Sequence, residues 1–198
     1  MRTVRLVRVI PLVLAVTLSV PAFSTEPMIQ AIPNFHQVNA CVYRGGQPTA
    51  LAWPRLSDLG IKTVIDLCRD GENSGADEAR AVEAAGMRYV RFPMDGFATP
   101  TPAQIANVLR LVEAGDTVFV HCKRGMDRTG TVVAAYRIAH EHWSNRQALD
   151  EAESFGMHWY SSGMKRFILA YRAPVPAPAA AATDSVPAVP VEPRRDGR

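Results

Sequence analysis

Residues 117–136 read TVFVHCKRGMDRTGTVVAAY and constrain the fold more than any other stretch. Thr117 to His121 is a short, β-branched, apolar run, the composition of a buried strand. Cys122 to Arg128 make a turn, and an apolar helix opens at Thr129. A strand, a tight loop and a helix N-terminus in succession form an anion cradle. The loop N–H groups point inward, and the positive end of the helix dipole adds to them.

A cysteine at the start of such a cradle is chemically loaded. A free thiol has a pKa of about 8.5, and amides and cations around it favour the thiolate, a nucleophile able to attack phosphorus. Arg128 falls where the loop curls back, and its planar fork fits two phosphate oxygens. Thr129 is placed to donate to the sulfur, and His121 to hold the loop backbone. Gly125, Met126 and Asp127 complete the loop, and Lys123 and Arg124 put two more cations beside the nucleophile.

His121-Cys122, five residues, Arg128, then Thr129-Gly130 resembles the signature of the cysteine-dependent phosphatase superfamily. The cysteine follows a full set of strand–helix units, which resembles the dual-specificity branch. Tyr43-Arg44-Gly45-Gly46-Gln47-Pro48 is similar to the phrase that opens the catalytic domain in bacterial and fungal relatives of that branch. The resemblance implies hydrolysis of phosphate monoesters on tyrosine, serine or threonine through a phosphocysteine, with no metal or organic cofactor. Cys-Lys-Arg-Gly is also similar to atypical plant and fungal phosphatases, some of which cleave inositol pyrophosphates. Gly-x-Asp-Arg-Thr resembles phosphoinositide phosphatases. The substrate is therefore a phosphoprotein or a small polyanionic phosphoester. A phosphate-binding module without turnover and a sulfurtransferase are the other classes to weigh. The intact Cys122, Arg128 and Thr129 argue against the first, and the Arg-Thr-Gly ending against the second.

The mechanism that the resemblance implies needs a carboxyl that acts first as acid and then as base. Asp95, in Phe92-Pro93-Met94-Asp95-Gly96-Phe97, lies 27 residues before Cys122, where the superfamily carries its movable acid. Asp127 is the rival, or else it orients Arg128 or a loop amide. Cys68 ends a strand expected beside that of Cys122, and some relatives close a reversible disulfide there. Pairing of Cys68 with Cys41, or no pairing, are the alternatives. The cysteines lack Cys-x-x-Cys spacing, and His140 and His142 point different ways on a helix, so no metal site is expected.

The 198 residues suffice for one domain. Residues 1–24 read as a signal peptide: Arg2, Arg5 and Arg8 precede the apolar run Val9 to Val20, and Ala22-Phe23-Ser24 suits cleavage. The run is short for a membrane span. An exported protein, periplasmic or secreted, is expected, with residues 25–172 as its phosphatase domain. Three of the 22 basic residues lie in the leader, so 19 basic then face 19 acidic and nothing favours nucleic acid or a general anionic membrane partner. Residues 173–198, rich in Pro and Ala, read as a disordered tail.

Between these ends, strands are expected over Val38–Tyr43, Ile61–Cys68, Arg88–Phe92 and Thr117–His121. Helices are expected over Thr49–Leu59, Gly75–Ala85, from Thr101 to near Gly115, from Ser144 to Gly156, and over Met164–Tyr171. Ser74, Thr101 and Ser144 are N-caps, the last two with capping boxes. Strands alternating with helices imply an α/β fold, a mainly parallel central sheet flanked by helices on both faces. The loop at Cys122 then lies at the carboxyl end of a central strand.

Overall fold

The computed structural model describes residues 31–173, so the leader and nearly all of the tail lie outside the described residues. Five strands form one sheet in the order β1-β2-β5-β3-β4. They are β1 (His36–Gln37), β2 (Val42–Gly45), β3 (Thr63–Asp66), β4 (Arg88–Arg91) and β5 (Val118–His121). All pairings are parallel except β1 with β2, and β5 is central. The six helices among the described residues are α1 (Ala52–Asp58), α2 (Gly75–Ala84), α3 (Pro102–Val112), α4 (Asp127–His140), α5 (Asn145–Ser154) and α6 (Ser162–Ala170).

Alternation along the strands divides the core. Tyr43, Val64 and Phe119 face one side and pack with Trp53 and Leu56 of α1 and Val82 of α2. Val42, Ile65, Val118 and Val120 face the other and pack with Ile105, Val108, Leu109 and Val112 of α3 and Val132 of α4. Helix α4 is buried from Arg128 to Ala135 because α5 and α6 cover its outer side. Ser74, Thr101 and Ser144 each accept from the backbone N–H three residues on, and Thr101 and Ser144 complete capping boxes.

Most element ends shift by one to three residues, and two larger departures have a clear physical reason. Val38–Cys41 is not strand: the Asn39 carboxamide oxygen accepts from Cys41 N and Val42 N, both at 3.0 Å, and turns the chain. This makes the short antiparallel β1–β2 pair that periodicity did not reveal. The helix after the catalytic loop starts at Asp127, two residues early, so Arg128 sits in its first turn. An acid there is favoured by the helix dipole.

Asn39 also donates to Tyr136 Oη and Glu141 Oε1 at the end of α4. Asn39→Ala should lower stability by about 1–3 kcal/mol, read from urea unfolding, because four hydrogen bonds are lost at a half-buried turn.

Candidate active site

Cys122 follows β5 directly, is 2% exposed, and forms the floor of a pocket at the carboxyl edge of the sheet. Residues 123–126 wrap over it. The carbonyls of Lys123, Arg124 and Gly125 are held away from the pocket by the segment 34–47, and Met126 O accepts from Gly130 N. Lys123 O accepts from Gln47 N at 3.3 Å, Arg124 O from Asn34 Nδ2 at 3.3 Å, and Gly125 O from Arg44 Nη2 at 2.9 Å. A trans peptide is planar, so each carbonyl held outward turns the following N–H inward. The amides of residues 123–126 donate to no protein acceptor among the described residues.

Gly125 has φ of 73°, and a Cβ there would overlap the backbone of Gly45 and Gly46. Gly46 in turn faces the Arg124 backbone, where a Cβ would lie 3.0 Å from the carbonyl carbon. Gly45 stays in β2 opposite His121, and with Gly46 it lets the loop dock on the strand end.

Arg128 points into the pocket and is gripped by Glu72. Its Nη1 lies 2.6 Å from Oε2 and its Nη2 3.2 Å from Oε1, with Leu67 O and Met94 O as further acceptors for Nη1. Burial opposes charge on both partners. Their mutual hydrogen bonds outweigh it, holding Glu72 below and Arg128 above their ordinary values. Arg69, Lys123 and Arg124 also line the pocket, and Gly96, Phe97 and Tyr160 form a wall. Lys123 donates to Glu72 O and Arg124 to Tyr160 Oη, so neither takes a carboxylate partner among the described residues.

A family model described as "PTP-NADK: DSP-PTPase phosphatase fused to NAD+ Kinase" matches residues 25–166. The chain belongs to this family. Dual specificity protein phosphatase TpbA of Pseudomonas aeruginosa (strain UCBPP-PA14) is 30% identical over 126 residues, which are 62% of this chain and 55% of TpbA. The chain thus spans about half the length of that relative. Inositol diphosphatase DSP2 of rice is 29% identical over 158 residues, 74% of this chain and 76% of DSP2. Among solved structures, TpbA superposes with a TM-score of 0.60 at 27% identity, covering 70% of this chain and 84% of that one. The catalytic core of the PP-IP phosphatase SIW14 of S. cerevisiae superposes at 0.63 with 23% identity, covering 71% and 87%, and so shows the fold.

The other predicted residues of this DSP-PTPase member divide into those the fold brings together and those it diverts. Asp95 is exposed, and its Oδ1 accepts from Phe97 N at 2.7 Å and Ala98 N at 2.9 Å. These bonds hold its carboxyl below the usual range. Its neighbours Gly96 and Phe97 reach the pocket, whereas the carboxylate turns back on its own loop. Asp127 lines the pocket, but its oxygens accept from Ser161 Oγ, His158 N and His158 Nδ1 at 2.6–2.9 Å. Burial raises its carboxyl, and those bonds more than reverse this. Asp127 is therefore the anchor of the 158–161 segment, and its rival claim as a free acid loses support.

Thr129 and His121 do not make the bonds expected of them. The Thr129 hydroxyl is 3.5 Å from Gly45 O and makes no hydrogen bond to the sulfur. His121 is fully buried and stacked on Phe119, with Nε2 2.8 Å from Glu78 Oε1 but out of hydrogen-bond alignment, and Nδ1 without a partner. It braces the core behind the loop and does not bond the loop backbone. The Met126 side chain lies against Gly156.

All three cysteines are free thiols. Cys41 precedes β2 at the amino edge, whereas Cys68 and Cys122 lie past β3 and β5 at the carboxyl edge. Six positions of register separate Cys41 from Cys68, about 20 Å along the strands, so that pairing is excluded. Cys68 shares the edge of Cys122, as expected. Burial and the Asp66 carboxylate push its thiol well up, and it donates to Gln47 Oε1 at 3.6 Å. A protonated thiol resolves a sulfenic acid slowly. Asp66, Cys68 and His121 could together offer three metal ligands. The Asp66 carboxylate is already committed within the protein, accepting from Cys68 N, Asn73 and Tyr89.

Sequence reasoning missed Glu72, Arg69, Tyr160, His158 and Arg44. Each except Arg69 acts through a contact 31 or more residues distant in sequence, and Arg44 alone lies in a recognisable phrase, Tyr43 to Pro48. Gly125→Ala should cost more than about 2 kcal/mol and abolish oxyanion binding, because left-handed backbone strain adds to a backbone overlap. Calorimetric titration with tungstate and thermal unfolding measure the two effects.

Proposed function

We propose that this chain is an exported hydrolase of phosphate monoesters that works through a phosphocysteine on Cys122. The observation that carries the reading is the cradle: a buried cysteine beneath the inward amides of Arg124, Gly125 and Met126, with the Arg128 fork beside it. The Cys122 sulfur attacks phosphorus, the ester P–O bond breaks, and the leaving oxygen takes a proton from Asp95. Water then attacks the phosphocysteine, Asp95 takes its proton, the S–P bond breaks, and inorganic phosphate departs. Arg128, kept in register by Glu72, supports the charge on the equatorial oxygens in both steps. For Asp95 to serve, its loop must release the Phe97 and Ala98 amides and turn inward, and Arg128, bonded to Met94 O next to it, connects that loop to the phosphate site.

Two features of the mouth bear on substrate. Phe97 and Tyr160 approach at 6.3 Å between ring centroids, and Trp159 packs edge-on against Tyr160. Phe97 is 68% and Trp159 84% exposed, a rim that suits the ring and flanking side chains of a phosphotyrosine protein. A TpbA structure holds pTyr. Arg69, Lys123 and Arg124 favour the second reading, a small polyanion such as an inositol pyrophosphate, the class in the name of the rice relative. Export rests on Arg2, Arg5, Arg8 and the apolar run after them.

Cys122→Ser should abolish turnover of p-nitrophenyl phosphate while retaining tungstate binding, since the cradle survives without its nucleophile. Residual activity within tenfold of wild type would falsify the nucleophile assignment. Asp95→Asn should cut kcat about 10²–10⁴-fold on alkyl phosphates and much less on an activated aryl phosphate. Equal losses on both would take the acid role from Asp95. Lys123→Ala with Arg124→Ala should lower kcat/KM for inositol pyrophosphates more than for phosphotyrosine peptides; equal losses remove the polyanion reading.

A further inference from the structure

Arg44 is a buried cation that the chemistry above does not use. It lies on β2, is 1% exposed, and has no carboxylate partner among the described residues. The acid that most influences it, Glu151, is already paired with Arg137 at 2.7 Å. Its Nη2 donates to Gly125 O at 2.9 Å, its plane covers the Phe155 ring at 4.0 Å, and Nε and Nη1 have no protein partner. A buried cation without a counter-ion is strongly unfavourable unless something nearby needs the charge. Burial pulls Arg44 down to about 10, which leaves it charged at neutral pH. Its side chain meets the loop from behind, and Cys122 and the oxyanion cradle lie on the other side.

The bond to Gly125 O has a geometric consequence. The Gly125 carbonyl and the Met126 N–H belong to one planar peptide and point in opposite directions. Holding the carbonyl back turns the Met126 amide toward the pocket. Asn34 and Gln47 do the same for the Arg124 and Lys123 carbonyls with neutral donors. Arg44 alone of the three adds charge, and it bonds the glycine in the left-handed conformation.

We infer that Arg44 is a positioning residue for oxyanion binding: it orients the Met126 amide through Gly125 and sets a positive charge behind the catalytic loop. The competing role is packing on Phe155 alone. The inference rests on the phosphatase reading of this pocket, and tungstate binding separates the two because it needs no turnover.

The test compares wild type, Arg44→Met and Arg44→Lys in the full chain by calorimetric titration with tungstate, with thermal unfolding alongside. Arg44→Met should weaken tungstate binding by about tenfold or more, the loss expected for a charge-assisted hydrogen bond. Arg44→Lys keeps the charge and one donor and should recover most of that loss. Arg44→Met binding within about twofold of wild type overturns the inference. So does an Arg44→Lys as weak as Arg44→Met, which assigns the residue to packing on Phe155. Where Arg44→Met does not fold, Arg44→Leu, which likewise removes both charge and donor, replaces it under the same limits. A wild type that binds tungstate yet hydrolyses no phosphoester sinks the enzyme reading and leaves the inference standing. A wild type that binds none overturns both.

Discussion

A loop can turn every amide toward an anion only if every carbonyl is taken up elsewhere, because the peptide plane couples the two. In this chain the segment from Asn34 to Gln47 takes them up, and the rest of the site depends on that docking. It requires Gly125 to lie against the Gly45-Gly46 backbone with no Cβ between them. It also requires β2 to run beside β5 in the register that sets Gly45 opposite His121. The parallel sheet is thus the frame that brings two distant glycine turns face to face.

Charge is arranged on the same frame. Four cations and two carboxylates line the pocket, and each carboxylate is committed before substrate arrives. Glu72 fixes the Arg128 fork, and Asp127 ties the first turn of α4 to His158 and Ser161. Their engagement leaves Asp95 as the exposed acid, on a loop whose Met94 carbonyl touches Arg128. The aromatic segment 158–160 owes its place at the mouth to the Asp127 anchor. The aromatic rim and the Arg128 fork are therefore joined through one helix turn.

Much of this was legible in order along the chain. Capping boxes at Thr101 and Ser144 and the Ser74 cap are local patterns, set by hydrogen bonds three residues apart. They appear in the structure where they were expected. The β1–β2 turn at Asn39 was hidden because one carboxamide turned a largely apolar stretch. The early start of α4 was hidden because a loop and a first helical turn share their residue types.

By itself, the sequence determined the candidate nucleophile, the arginine six residues after it, the strand and helix that flank them, and the alternation that makes a parallel sheet. These follow from short-range chemistry. Tertiary structure decided the partners: Glu72 for Arg128, Asp127 for His158, Gly45 for Gly125, and Arg44 for the back of the loop. It also separated Cys41 from Cys68 and turned Thr129 and His121 away from their expected bonds. The physical reason is that a hydrogen bond or an ion pair depends on distance in space. Sheet register sets that distance, and no local window of sequence encodes it.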